Sequence, residues 1–297
     1  MQPEHQRLAF AAMASRCALV VDHDGDASTA LAAAREEVLR IEAKYSRYRD
    51  DSVVSAINRA AGGAGVAVDD ETAALLDLAA AAHAASDGRF DATSGVLRRA
   101  WDFGAARVAT TEALAALLPL VGWQQVEWNR PHLRLPRAGM ELDFGGFGKE
   151  YAADRAAAVL ASHGIAHGFV NLGGDVRAVG ARRDGAPWQV GVQHPREVDR
   201  VLARVALRDG AIATSGDYER YFECDGVRYC HVLDARSGVP VQGVRAVSVV
   251  APLCVVAGLH ATIAMLHGAK AKDYLDECGC AYLLVDGDGA VHRTLAG

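Results

Sequence analysis

The sequence predicts an α+β fold, with helices packed on a mainly antiparallel sheet. Helical periodicity dominates the first half of the chain, and short apolar runs dominate the second. Strands and helices do not alternate in the regular way that builds a doubly wound parallel sheet. Apolar residues make up 51% of the 297 positions, enough to bury a substantial core. No long linker and no repeat of fixed period divides the chain, so residues 1–297 are expected to form a single domain.

The opening Met1-Gln2-Pro3-Glu4-His5-Gln6-Arg7 leads into an apolar stretch broken at Arg16. It is too short to span a bilayer and unlike a secretory leader, which sets the expectation of a cytoplasmic protein with no membrane segment. Over 29–45 the apolar residues recur at helical spacing among Ala, Glu and Arg. A second Ala-rich helix is expected over 70–86, and both suit packing against a sheet. Thr110-Thr111-Glu112 opens a further helix to about Leu118. Residues 126–135 read as strand with a turn near Asn129 and Pro131, and 151–163 as a helix ended by Gly164. Short strands are expected over 169–172, 176–179, 188–192, 201–207, 211–214, 229–233 and 246–251. A closely apolar, buried helix follows over 255–266, then a strand over 281–285, the turn Asp286-Gly287-Asp288-Gly289 and a last short strand.

The net charge is −6 with basic residues scattered, which argues against nucleic acid or an anionic membrane as the main partner and favours a small or protein-borne ligand. Six cysteines are too sparse for a disulfide scaffold and lack zinc-like CxxC pairs, so reduced thiols are expected. Cys278-Gly279-Cys280 reads first as two small thiols beside a turn, and second as a metal or redox pair.

Four segments could carry chemistry. Asp143-Phe144-Gly145-Gly146-Phe147-Gly148-Lys149 places an acid at a strand end, then glycines, then a lysine at the start of a helix. Glycines admit close backbone approach, a helix start offers free N–H groups to phosphate, and Lys149 adds a compact charge. A tight strand-to-helix turn would explain the same pattern, which is neither GxGxxG nor a Walker loop. Asn171-Leu172-Gly173-Gly174-Asp175 reads alone as a hairpin turn, but two such turns joined by one helix suggest a shared cleft. In Gly88-Arg89-Phe90-Asp91-Ala92-Thr93, Asp91 or Thr93 is expected to cap a helix continuing toward Arg99. His231 falls on an expected strand beside a turn, where a structural histidine is commoner than a catalyst. No nucleophile elbow, HExxH or EF-hand loop appears.

In this order, the segments resemble the FAD:protein FMN transferase (ApbE-type) family. The resemblance runs through Ala12-Met13-Ala14-Ser15, Tyr45-Ser46-Arg47-Tyr48, Gly88 to Thr93 with Trp101, residues 142–154, 170–175, 213–220 and 231–238, and the late helix near Ala257. It covers nearly the whole chain and implies one compact unit of interlocked lobes. It also implies cleavage of FAD between its phosphates, attachment of FMN by a phosphoester to a Thr or Ser hydroxyl of an acceptor protein, and release of AMP. The resemblance places Met13, Tyr48, Arg89, Phe90, Asp91, Asp143, Lys149, Gly173, Gly174, Asp175 and Val232 around the dinucleotide, with Tyr48 stacking and His231 as general base. It implies a divalent ion, usually Mg2+, on the carbonyl of Gly146, on Thr262, and on an Asp four residues before that threonine.

At that last position the chain has Gly258. The metal site is therefore one carboxylate short, a loss open to compensation by other carboxylates, Asp175 and Asp217 among them, or by water and the FAD phosphates as ligands; His260 points elsewhere around the helix. Restoring the acid by Gly258→Asp is expected to strengthen the ion's site. The departure also leaves two other functions in view, a FAD-binding paralogue without transfer and a FAD pyrophosphatase. A smaller departure is Ala14-Ser15 in place of Gly-Thr, expected to shift the backbone near the flavin.

Overall fold

Ser52, Asp69 and Thr110 each accept a hydrogen bond from the backbone N–H three residues on, at 3.0, 2.9 and 3.1 Å, and each opens a helix. These contacts come from a computed structural model that describes residues 5–197 and 199–295. The first four residues of the segment read above as unlike a leader lie outside that range.

The chain begins with the hairpin β1 (Gln6–Ala12) and β2 (Ser15–Val21), followed by α1 (Ser28–Tyr45), α2 (Val53–Arg59), β3 (Val66–Ala67) and α3 (Asp70–Ala85). Then come α4 (Thr111–Leu117), β4 (Glu127–Asn129), β5 (His132–Arg134) and α5 (Gly148–Ser162). The next seven strands are β6 (Gly168–Leu172), β7 (Asp175–Val179), β8 (Trp188–Gln193), β9 (Val201–Leu207), β10 (Gly210–Gly216), β11 (Tyr221–Cys224) and β12 (Val227–Cys230). The chain closes with β13 (Val244–Ala251), α6 (Cys254–His267), α7 (Ala271–Cys278), β14 (Ala281–Asp286) and β15 (Val291–Arg293).

Eight strands form one sheet in the order β1-β2-β6-β7-β10-β13-β14-β15, with every neighbouring pair antiparallel. The alternation of side chains across the pleat gives this sheet two apolar faces. Val170, Leu172, Ala213, Val247 and Val249 join the core that holds α1, α5 and α6. Phe169, Val176, Ile212 and Ala246 face Trp188, Val205 and Leu207 of the β8–β9 hairpin. The α+β expectation therefore holds, with helices on one face and a hairpin covering the other.

Several boundaries differ from the sequence reading. The β1–β2 hairpin was unmarked because β1 is rich in Ala and both strands carry an Arg near their start, a weak strand signal. Helix α5 begins at Gly148, three residues before the expected start, since Gly148 is a poor helix former and reads as part of the glycine turn. The strand expected over 229–233 ends at Cys230. Beyond it Val241 N–H donates to Val232 O at 2.9 Å and Asp234 N–H to Val239 O at 3.0 Å, closing a loop. By length and composition alone the helical stretch Cys254–Cys278 could cross a membrane. Here its α6 part is buried against β10, β13 and α5.

Candidate active site

The glycine-rich turn before α5 is fixed at both ends. Asn58 pairs with the backbone of Leu142 like a strand neighbour, accepting from its N–H at 2.6 Å and donating to its carbonyl at 3.0 Å. Asp143 then accepts from Gly145 N–H at 2.9 Å through one oxygen and forms an ion pair with Arg47 through the other. A side chain at Gly146 would meet the Phe90 ring at 2.8 Å, so the turn lies flat on that ring. The buried Phe144 and Phe147, 5.1 Å apart, anchor it from below.

Lys149, on the first turn of α5, reaches across to the second glycine turn. Its Nζ lies 2.7 Å from Asp175 Oδ2. Burial alone would lower its pKa, but Asp175 and Glu150 outweigh burial and hold the ammonium charged. In the β6–β7 turn, Gly173 and Gly174 have φ of +62° and +100°, and a side chain at Gly173 would strike Ser15 Oγ at 2.7 Å. Ser15 follows the β1–β2 turn, where Met13 and Ala14 themselves have φ of 50° and 55°. Met13 N–H donates to Glu42 of α1 at 2.6 Å. Three turns from distant parts of the chain thus converge around one ammonium.

Other candidate residues lie on the surrounding loops. Tyr48 is 75% exposed, with the Arg47 guanidinium 4.9 Å from its ring centre, so it presents a free aromatic face. Arg89 pairs with Asp234 at 2.8 Å and Ala235 N–H donates to Arg89 O, tying its loop to the segment after His231. Phe90 is buried. Asp91 does not cap a helix. Its oxygens accept from Thr93 N–H and hydroxyl and from Trp123 N–H, while Thr93 accepts from Gly122 N–H. The stretch Ser94–Arg99 is a 3-10 helix without a side-chain cap.

His231 stands just past β12, half in solvent and half against protein. Its Nδ1 lies 3.3 Å from the Arg220 carbonyl, which can only accept, so the ring proton sits on Nδ1 and Nε2 keeps its lone pair. Burial lowers its pKa, and the charges of Arg220 and Lys149 add to this, against the opposing Arg220 carbonyl. The ring is therefore a neutral base near pH 7. Val232, beside it, is half-buried against the main core.

Helix α6 is capped from α5, since the Asp154 carboxylate accepts from Cys254 N–H at 2.8 Å and Val255 N–H at 2.9 Å. Thr262 shares a hydrogen bond of 2.8 Å with Ser215 of β10. His260 bonds Tyr274 of α7 at 2.7 Å. Of the acids expected to stand in for a residue at 258, Asp217 is gripped by Arg196 through two 2.6 Å bonds, and Asp175 is paired with Lys149. The carboxylate that lies against Gly258 is Glu150. A side chain at 258 would approach its Cδ to 2.9 Å, so Gly258→Asp alone crowds the site where the sequence suggested a gain. Burial first, then the neighbouring Asp175, raises the Glu150 pKa. Among the described residues no three His, Cys, Asp or Glu side chains gather as a ready-made metal cage.

A sequence profile of the ApbE family matches residues 13–284. The chain belongs to the ApbE family. It is 36% identical over 259 residues to a protein of Treponema pallidum named FAD:protein FMN transferase, covering 80% of this chain and 72% of that one. A Vibrio cholerae protein of the same name is 34% identical over 236 residues, covering 76% and 70%. Among solved structures, the ApbE protein of Thermotoga maritima matches with a TM-score of 0.91 at 34% identity, over 98% of this chain and 97% of that one. The flavin transferase ApbE of Vibrio cholerae matches with 0.87 at 27% identity, over 99% and 97%.

In this ApbE-family chain, sequence reasoning gave Glu150, Asp154 and Ser215 no role. A signal for Glu150 was present: it shares the buried face of α5 with Ala153, Ala157 and Leu160, where a charge is out of place.

Proposed function

We propose that this chain is an FAD:protein FMN transferase that attaches FMN to a Thr or Ser hydroxyl of an acceptor protein. The observation that carries the reading is His231 with a free Nε2 lone pair, close enough to Lys149 to feel its charge, beside glycine turns that leave backbone open to a pyrophosphate. In the reaction the acceptor oxygen forms a bond to the FMN phosphorus as the bond to the bridging pyrophosphate oxygen breaks, and AMP leaves. Nε2 of His231 takes the acceptor's proton, and Lys149 holds phosphate oxygens in place. Met13, Tyr48, Arg89, Asp143, Gly173 and Gly174 surround the dinucleotide, with Tyr48 stacking on a ring. Phe90, Asp91, Asp175 and Val232 act from behind, shaping the turns and holding Lys149.

A divalent cation, Mg2+ in this proposal, fits residues on this site. Thr262 and the Gly146 carbonyl offer hard oxygens, and the buried Glu150 has a carboxylate oxygen without a donor. When bound, the ion would draw charge from the phosphoryl oxygens. The six cysteines are free thiols, which fits a reducing compartment, and cytoplasmic placement belongs to the same proposal, to be tested by cell fractionation.

Incubation of the purified protein with FAD, Mg2+ and an acceptor domain bearing a Thr tests the reading. Covalent FMN on the acceptor is expected. AMP release without an adduct would make the chain a pyrophosphatase, and FAD binding with neither product would make it a carrier.

A further inference from the structure

Helices α5 and α6 pack side by side and meet at Glu150 and Gly258. An atom added at Gly258 in the Cβ position would lie 2.6 Å from Cγ and 2.8 Å from Oε1 of Glu150, so the bare backbone of α6 is what admits this carboxylate. Glu150 is 8% exposed, and its Oε2 is buried without a hydrogen-bond donor. A buried carboxylate oxygen is normally met by a donor or a cation. The nearby ammonium of Lys149 lies 2.7 Å from Asp175 Oδ2, which like Glu150 Oε2 is buried without a hydrogen bond, so one positive side chain stands beside two buried acids. One helical turn after Gly258, on the same face of α6, Thr262 carries its hydroxyl 2.8 Å from that of Ser215. A carboxylate and a hydroxyl are the hard oxygen donors that a small divalent ion takes alongside water and phosphate oxygens.

We propose that Glu150 supplies, from α5, the carboxylate ligand of a divalent cation that Thr262 also holds, in the space that Gly258 leaves open. The acid is thereby supplied from α5, where the resemblance had placed it on α6. This rests on the transferase reading, in which the ion faces the FAD phosphates.

The test reads cation binding directly, using Mn2+ as a paramagnetic probe. The full chain is titrated with Mn2+ and followed by electron paramagnetic resonance, with and without FAD. FAD binding in EDTA is followed separately by flavin fluorescence. Glu150→Gln keeps the shape and removes the charge. It is expected to weaken Mn2+ binding by about tenfold or more, while FAD affinity in EDTA stays within about threefold, a change of under 1 kcal/mol. Unchanged Mn2+ affinity in Glu150→Gln would overturn the proposal. Should that variant fail to fold, the double variant Glu150→Gly with Gly258→Asp decides. Mn2+ binding lost in Glu150→Gly and restored by adding Gly258→Asp supports an acid shared between the helices, and binding unchanged in Glu150→Gly overturns it. If the parent chain binds Mn2+ through Glu150 but never binds FAD, the transferase reading falls and the cation site stands.

Discussion

His231 and Ala14 show how much a single residue's surroundings decide. Because burial lowers the His231 pKa from 6.5, the acid limb of kcat/KM is expected below pH 6.5, where the imidazole gains its proton and ceases to be a base. His231→Gln should reduce FMN transfer by roughly 10²–10⁴-fold with FAD affinity nearly unchanged. An acid limb that survives the substitution would assign the base elsewhere. Ala14 holds the left-handed conformation that its departure from glycine was expected to disturb. The backbone keeps its turn, and the side chain carries the cost. Ala14→Gly should therefore raise stability by roughly 1 kcal/mol in urea unfolding. No gain would mean that the hairpin's partners already offset the strain.

Among the elements, α5 and α6 form the cleft floor as a unit. Asp154 satisfies two N–H groups at the start of α6, so Asp154→Ala should destabilise the protein by about 1–2 kcal/mol. Hydrogen exchange should show early opening of the first turn of α6; uniform exchange across α6 would place the loss elsewhere. Helices α1, α3, α4 and α6 were legible, because periodic apolar positions and a cap such as Thr110 are local signals, whereas the short α2 and α7 went unread. The glycine turns and His231 were visible as residue types in order. The cap from Asp154 and the packing of Glu150 on Gly258 were not, since each joins positions roughly a hundred residues apart, and only the packing of two helices brings them together. The β1–β2 hairpin escaped for a different reason: β1 has no β-branched residue, and β2 has them only at its end, in Val20 and Val21.

Across the whole molecule, Glu71 links the first helix to the cleft-bearing one. It accepts from Arg40 and Lys44 of α1 and from Tyr151 of α5, at distances of 2.6 to 2.9 Å. The Arg40 bond first, with Lys44 and Tyr151, lowers its pKa against opposing burial. A depressed carboxylate pKa stabilises the fold above the unfolded value and loses that contribution as pH falls through the folded one. Glu71→Gln should thus lower neutral-pH stability on the order of 1 kcal/mol after solvent screening. The gap to the parent should close in acid, below about pH 4.3. A gap that persists there would mean the loss is steric and not electrostatic.

Gly258 and Glu150 cannot trade places one step at a time. A lineage that gained an acid at 258 while keeping Glu150 would pass through a crowded core, because the two side chains claim the same volume. One that first lost Glu150 would pass through a chain with an acid at neither of the two positions. The two positions are therefore coupled by volume, and under the proposal above the acid at either one would serve the same cation. The pair is the unit to inspect: a glycine on α6 should be counted as a lost acid only where no carboxylate faces it from α5.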